Sequence, residues 1–119
     1  MATLLLIGLN GPKHDRFRQT LRGLGHSLVP GHTPSLPSVD LAFCDGDHAD
    51  CRTTLQSMRT QRPSLPVIAV TLLPDEGKWL DALEAGAADY CGASFESTSL
   101  RWILDGVLRP KPLTHPVAA

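Results

Sequence analysis

Four short apolar runs, each ending at a small or polar residue, constrain the fold of this chain more than any other feature. The runs are Leu4–Ile7, Leu41–Cys44, Val67–Val70 and a segment that closes at 90–92. Continuous apolar runs of this length are typical of parallel strands that are buried on both faces. The residues that follow them would then meet at the carboxyl edge of one sheet, where open α/β folds bind their ligands. Those residues are Gly8, Leu9, Asn10, Asp45, Thr71, Ala93 and Ser94.

Amphipathic segments lie between these runs and predict helices on both sides of the sheet. Their inward positions recur at helical spacing. They are Phe17, Leu21 and Leu24; Leu55 and Met58; Trp79, Leu80, Leu83 and Ala87; and Leu100, Ile103, Leu104 and Val107. Gly86 is placed to end the third of these helices in a left-handed conformation, and Ser97 is placed to cap the last.

Strands that alternate with helices predict an α/β fold of the doubly wound type. We expect a (βα)5 arrangement with a five-stranded parallel sheet in the order 2-1-3-4-5, the second strand lying at 26–29. Three prolines in 30–38 block a regular helix, so the second helix is predicted to be shortened or missing. The loss of that helix predicts that Leu36 and Val39 are exposed.

The composition fits one globular domain over residues 1–109, followed by a Pro-rich tail or linker at 110–119. The chain has 119 residues, a net charge of -1 and 42% hydrophobic residues, with no basic excess that would indicate nucleic-acid binding. The apolar segment 1–7 is too short to cross a membrane. Cys44, Cys51 and Cys91 follow no metal-binding spacing. They are expected to be reduced structural thiols of a cytoplasmic protein, with a reactive thiol as the alternative.

Three segments resemble those of response-regulator receiver domains, which are CheY-like. The segment 40–45 resembles the receiver strand that ends in the phosphoacceptor aspartate, and 66–71 resembles the strand that ends in a switch Thr or Ser. The segment 82–90 is similar to the junction of receiver helix four and strand five. The resemblance covers residues 3–109 and implies that Asp45 is the phosphoacceptor equivalent, with Thr71 and Tyr90 as switch equivalents.

The same resemblance implies two losses. Receivers hold Mg²⁺ with an acidic pair at the end of strand one, where this chain has Gly8, Leu9 and the uncharged Asn10. They also use a Lys, followed by Pro, after strand five, where this chain has Ala93 and Ser94. Metal and ammonium charges supply most of the catalysis of phosphoryl transfer. We therefore expect Asp45 to be vestigial, with no catalytic residue, no metal and no cofactor.

Three functions remain open at this point. The favoured one is a degenerate receiver, or pseudo-receiver, of a two-component system that is not an enzyme and acts by protein–protein interaction independently of phosphorylation. The alternative is a working phosphoreceiver that uses Asp45 with unusual Mg²⁺ ligation. The third, a flavodoxin-like enzyme or cofactor carrier, lacks both a phosphate-binding loop and a nucleophile–base pair. Separately, the polar segment 45–50 could recruit a divalent ion through Asp47 or His48, although such clusters are usually solvated turns.

The expected output surface is formed by helix four, strand five and helix five in receiver numbering. It would contact a partner protein, an attached effector domain or a second copy of the chain, and neither nucleic acid nor a membrane. Trp79, Trp102 and Tyr90 are the large aromatic residues near this surface. They would supply binding energy if exposed, or cover the sheet if buried.

Overall fold

The computed structural model describes residues 2–9, 11–30, 39–93 and 96–108, which contain five strands and four α-helices. The strands are β1 (Thr3–Ile7), β2 (Ser27–Pro30), β3 (Leu41–Asp45), β4 (Val67–Thr71) and β5 (Asp89–Gly92). The helices are α1 (Asp15–Gly23), α2 (Cys51–Gln61), α3 (Glu76–Glu84) and α4 (Ser97–Leu108), and a 3-10 turn, Pro12–His14, precedes α1. The fourth and fifth helices of receiver numbering are therefore α3 and α4 here.

All five strands are parallel and lie in the order β2-β1-β3-β4-β5, which confirms the predicted doubly wound sheet. Every residue of β4 is buried, and so is every residue of β3 before its last. Strands of this kind need helices on both faces. One core cluster joins the sheet to α1 and α4 through Phe17 and Leu100, and the other joins it to α2 and α3 through Leu55 and Ala82.

The predicted loss of the second helix concerns residues that lie outside the described part of the chain, as do Leu36 and the predicted tail at 110–119. The neighbouring Val39 is described, and its predicted exposure is wrong. Its residual exposure is 8%, because the side chain packs in the core cluster that also contains Leu5 and Ala42. No helix in the described part of the chain is long and apolar enough to cross a membrane.

Three of the four residues predicted to face the core from the third helix are exposed, whereas Ala87, which lies after the end of α3, is buried as predicted. Ala82 and Ala85 are buried, whereas Trp79 and Leu80 are 42% and 48% exposed and Leu83 is also exposed. Small alanine side chains let the helix approach the sheet closely, and this orientation turns the large residues toward solvent. The predicted turn after α3 is present, since Gly86 has a φ of +110°.

The start of α4 also differs from the prediction by one residue. Ser97 is the first residue of the helix rather than its cap. The carbonyl of Glu96 accepts the hydrogen bond of the Leu100 amide at 3.0 Å, so Glu96 occupies the capping position.

The contact between Phe17 on α1 and Phe43 on β3 predicts a large core contribution. Their rings meet edge to face, with centroids 5.2 Å apart and an interplanar angle of 85°. We expect Phe17→Ala to lower the free energy of unfolding by about 3–5 kcal/mol, because it removes this contact and leaves a cavity. Urea denaturation measures the change. Trp102→Ala, at an aromatic that is 80% exposed, is the control and should cost far less; equal losses would contradict this account of the core.

Candidate functional site

The carboxyl edge of the sheet brings together the ends of β1, β3, β4 and β5. The register pairs Ile7 with Cys44, Asp45 with Val70, and Thr71 with Gly92. Asp45 and Thr71, the two predicted site residues that carry polar side chains here, therefore end neighbouring strands. Asn10 and Ser94, which were predicted as degenerate positions, lie outside the described residues.

The carboxylate that binds Thr71 belongs to Asp47 and not to Asp45. The buried Thr71 hydroxyl donates to Asp47 Oδ1 at 2.5 Å, and the Leu72 amide donates to Asp47 Oδ2 at 2.8 Å. Asp45 instead accepts the Asp47 amide at 3.0 Å and so shapes the turn. The loop after β3 is consequently fixed to the end of β4 by the side chain of Asp47.

A lysine completes this cluster. Lys78 Nζ lies 3.3 Å from Asp47 Oδ1, 3.5 Å from Thr71 Oγ1 and 3.3 Å from the carbonyl of Leu73. We refer to Asp47, Thr71, Leu72 and Lys78 as the latch. Burial opposes the charge on Asp47, but the hydrogen bonds from the other three residues outweigh it and hold the pKa of this carboxyl below its ordinary value.

The first turn of α3 positions the lysine of the latch. Asp75 caps this helix by accepting the Lys78 amide at 2.8 Å. The Tyr90 hydroxyl accepts the Asp75 amide at 3.2 Å, which connects the end of the sheet to the same helix start. The sequence comparison with receivers placed the missing cation at Ala93, whereas here a cation reaches the site from a different element.

The end of β1 is apolar. Gly8 has a φ of +74°, a left-handed conformation that favours glycine, and a Cβ at this position would be in ordinary contact with the Cβ of Asp45, 3.5 Å away. The Leu9 side chain is buried in the core cluster that contains Phe17. Its carbonyl accepts a hydrogen bond from Arg18 Nη1 at 2.5 Å. Neither Gly8 nor Leu9 provides a carboxylate at this end of the sheet.

No set of three His, Cys, Asp or Glu side chains in the described ranges is arranged to hold a metal ion. The polar segment 45–50 shows why. Asp47 is engaged in the latch, and His48 accepts the Asp50 amide at its Nδ1 atom, at 3.0 Å. Asp47 and His48, the two side chains predicted to recruit a divalent ion, are therefore engaged with different hydrogen-bond partners.

One buried histidine in the site was missed in the sequence. His14, in the 3-10 turn, is 1% exposed, and neither ring nitrogen has a hydrogen-bond partner. Desolvation lowers the pKa of this ring, with Lys13 and Arg18 acting in the same direction and Asp45 and Asp47 opposing them. Nothing in the sequence indicates this burial, because His14 follows no spacing pattern with the other histidines. Only the tertiary fold buries the turn that contains it.

Solved structures of receiver domains share this fold. The chain is similar to a two-component response regulator from Clostridium difficile, with a TM-score of 0.74 and 19% identity over 92% of this chain and 97% of that one. A response regulator from Thermotoga maritima gives a TM-score of 0.76 and 15% identity over 92% and 99% of the two chains. The non-phosphorylated HemR receiver domain from Leptospira biflexa gives 0.71 and 17% over 98% and 100%.

These similarities define the class of fold: the chain has the CheY-like fold of response-regulator receiver domains, as the sequence predicted. Neither protein-family profiles nor curated protein sequences match it.

The buried state of His14 predicts a specific pH dependence of stability. Because its folded pKa lies below the unfolded value of about 6.5, the unfolded chain binds more protons, and stability falls as the pH drops through that value. Between pH 7 and pH 5, we expect the free energy of unfolding of His14→Leu to depend less on pH than that of the wild type. The difference in slope should be at most about 1.4 kcal/mol per pH unit.

Urea denaturation at several pH values measures this slope. His26 is a useful control, since desolvation also lowers the pKa of its ring, while its Nδ1 atom accepts the Ala2 amide at 3.1 Å. His26→Leu should leave the part of the slope due to His14 in place. An unchanged slope in His14→Leu would contradict the assignment of a neutral buried ring.

Proposed function

We propose that this chain is a signal-transduction domain of the two-component type, an atypical receiver that acts through protein contacts and independently of phosphorylation. The latch is the observation that carries the proposal. The resemblance to receivers implies that a phosphoryl group on Asp45 would be bound by the Thr71 hydroxyl and by a lysine. In this chain Asp47 already binds the hydroxyl, a backbone amide and the ammonium group of Lys78.

A phosphoryl group on Asp45 would have to compete with the carboxylate of Asp47 for these donors. The part-buried hydrogen bond from Thr71 to the charged carboxylate is of the kind that contributes about 1.5–3 kcal/mol. The exposed bonds from Leu72 and Lys78 contribute less, because water competes for them. Releasing them would also place a second negative group beside Asp47, which like-charge repulsion opposes. The permanent carboxylate therefore supports an output that does not wait for phosphorylation.

The residues at the end of β1 do not fit Mg²⁺, the ion that the receiver fold implies. Mg²⁺ is held by carboxylate oxygens in an octahedral shell. Gly8 offers none, the Leu9 side chain is in the core, and the Leu9 carbonyl already accepts a hydrogen bond from Arg18. This mismatch supports the assignment of Asp45 as a vestigial phosphoacceptor position and argues against its use with unusual ligation.

The latch is connected to the surface proposed for partner binding. Lys78 and Trp79 are adjacent on α3, and α4 presents Trp102, which is 80% exposed. Both helices contact β5, the edge strand of the sheet. Exposed tryptophans are common anchors of protein interfaces. We propose that the α3, β5 and α4 surface contacts a partner protein, an attached effector domain or a second copy of the chain.

The proposal also covers activity, ligands and cellular location. We infer no enzymatic activity, no cofactor, and no direct contact with nucleic acid or a membrane. We place the protein in the cytoplasm, where free thiols such as those of its three cysteines are stable.

Titration with Mg²⁺ and beryllofluoride, a mimic of an acyl phosphate, tests independence from phosphorylation. We expect no saturable shift of the Asp45 and Thr71 amide signals in NMR spectra at millimolar Mg²⁺, because Asp47 holds the donors that the mimic needs. A saturable, Mg²⁺-dependent shift that disappears in Asp45→Ala would instead establish a working phosphoreceiver.

The variant Asp47→Ala provides the positive control for these signals. It removes the acceptor of the Thr71 hydroxyl and the Leu72 amide, so both amide signals should shift without any beryllofluoride. The neighbouring variant Asp50→Ala, at an exposed position outside the latch, should leave them in place.

Self-association tests whether the second copy is an occupant of the proposed surface. We expect the average mass measured by sedimentation equilibrium to rise with protein concentration, and the rise to be lost in the double variant Trp79→Ser and Trp102→Ser. Gln56→Ser, on the exposed side of α2, is the matched control and should behave like the wild type. A wild-type chain that stays monomeric would contradict the homodimer and leave a different protein as the occupant.

A further inference from the structure

Two cysteines flank the loop that carries Asp45 and Asp47. Cys44 is buried near the end of β3, and Cys51 is the first residue of α2. Cys51 packs against the core cluster that contains Cys44, so the two side chains are neighbours. Both line a cavity of about 170 Å³ at the carboxyl edge of the sheet, together with Asp45 and His48. The third cysteine, Cys91, is buried in the other core cluster.

We propose that Cys44 and Cys51 form a redox-active dithiol that closes into a disulfide around the loop 45–50 when it meets a small-molecule disulfide such as oxidised glutathione. The inference goes beyond the proposed signalling function and does not rest on it. The two side chains pack in the same region of the core and line the same cavity, at the two ends of one short loop. Cys51 is only partly buried, which leaves its thiol open to the oxidant, whereas Cys44 is buried.

Cys51 is the thiol that reacts first. The hydrogen bond donated by Cys44 lowers the pKa of the Cys51 thiol, although burial and the charges of Asp45 and Asp47 oppose this, while Arg52 favours the thiolate. Its place on the first turn of α2 adds the positive end of the helix dipole. The same hydrogen bond, together with burial, raises the pKa of Cys44, which keeps this residue protonated in the reduced pair.

The exchange proceeds in two steps. The Cys51 thiolate attacks one sulfur of the oxidised glutathione, forms a mixed disulfide and releases one glutathione thiolate. The Cys51 sulfur then carries no charge, so the hydrogen bond that most raises the pKa of Cys44 is lost. Cys44 gives its proton to water or to the released thiolate, attacks the Cys51 sulfur and releases the second glutathione. Two protein thiols lose two electrons, and one small disulfide gains them.

Closure of this disulfide would act on the latch through the loop. The ring formed by the bridge contains Asp45 and Asp47, and the latter is bound to Thr71 and Leu72. A bridge at the two ends of the loop restricts the conformations in which Asp47 can leave these partners. We therefore expect oxidation to change the amide signals of Thr71 and Leu72.

Mass spectrometry after exposure to oxidised glutathione tests the proposal. The reduced full chain is incubated with defined ratios of oxidised to reduced glutathione, alkylated in denaturant and digested. We expect the loss of two hydrogens, a peptide linking Cys44 to Cys51, and alkylation of Cys91. A Cys91→Ser variant should form the same link. Stable glutathione on wild-type Cys51, links between chains, or a link that forms only in denaturant would each overturn the proposal.

Two variants distinguish the order of the steps. Cys44→Ala should retain glutathione on Cys51, whereas Cys51→Ser should show neither glutathione nor a disulfide. In native protein at neutral pH, an alkylating reagent should react with Cys51 about tenfold or more faster than with Cys91. Similar rates would overturn the role of Cys51 as the attacking thiol. Circular dichroism of each variant checks that it has folded, and the beryllofluoride titration of reduced protein tests the signalling proposal separately.

Discussion

The burial of β3 and β4 on both faces is the constraint from which the rest of this structure follows. A strand that exposes neither face requires helices on both sides, and parallel neighbours require each connection to cross over the sheet. The crossovers bring all carboxyl ends to one edge. Asp45 and Thr71 reach this edge because each ends such a strand, and the chain turns there without an acidic pair at Gly8 and Leu9.

Burial of Thr71 at this edge creates a second requirement, which Asp47 meets. A hydroxyl removed from water costs free energy unless it finds an acceptor, and the Thr71 hydroxyl is fully buried. The Asp47 carboxylate accepts this hydroxyl and the Leu72 amide, and Lys78 balances its charge. The hydrogen bonds of Asp47 to the end of β4 therefore hold the loop after β3 in place. An ordinary receiver would leave these donors to a phosphoryl group.

The sequence predicted the features that depend on local pattern, and it failed where contacts between distant elements decide. The apolar runs predicted four of the strands, and the strand order followed from the usual arrangement of doubly wound sheets. The face of α3 was wrong because hydropathy favours Trp79 and Leu80, whereas close packing selects the smaller Ala82 and Ala85. Lys78 and Asp47 are 31 positions apart, and no motif links them. His14 was missed because its burial arises from tertiary packing alone.

The latch and the cysteine pair lie on the same short loop, the latch through Asp47 in its middle and the cysteines at its two ends. Asp47 holds the middle of the loop to β4, and Cys44 and Cys51 pack together in one core region at its two ends. Because few residues separate these points, we expect a change at one of them to alter the other. Lys78 extends the connection to α3, whose exposed Trp79 is the next residue. Under the two proposals above, thiol chemistry at this loop would replace phosphoryl transfer as the event that changes its state.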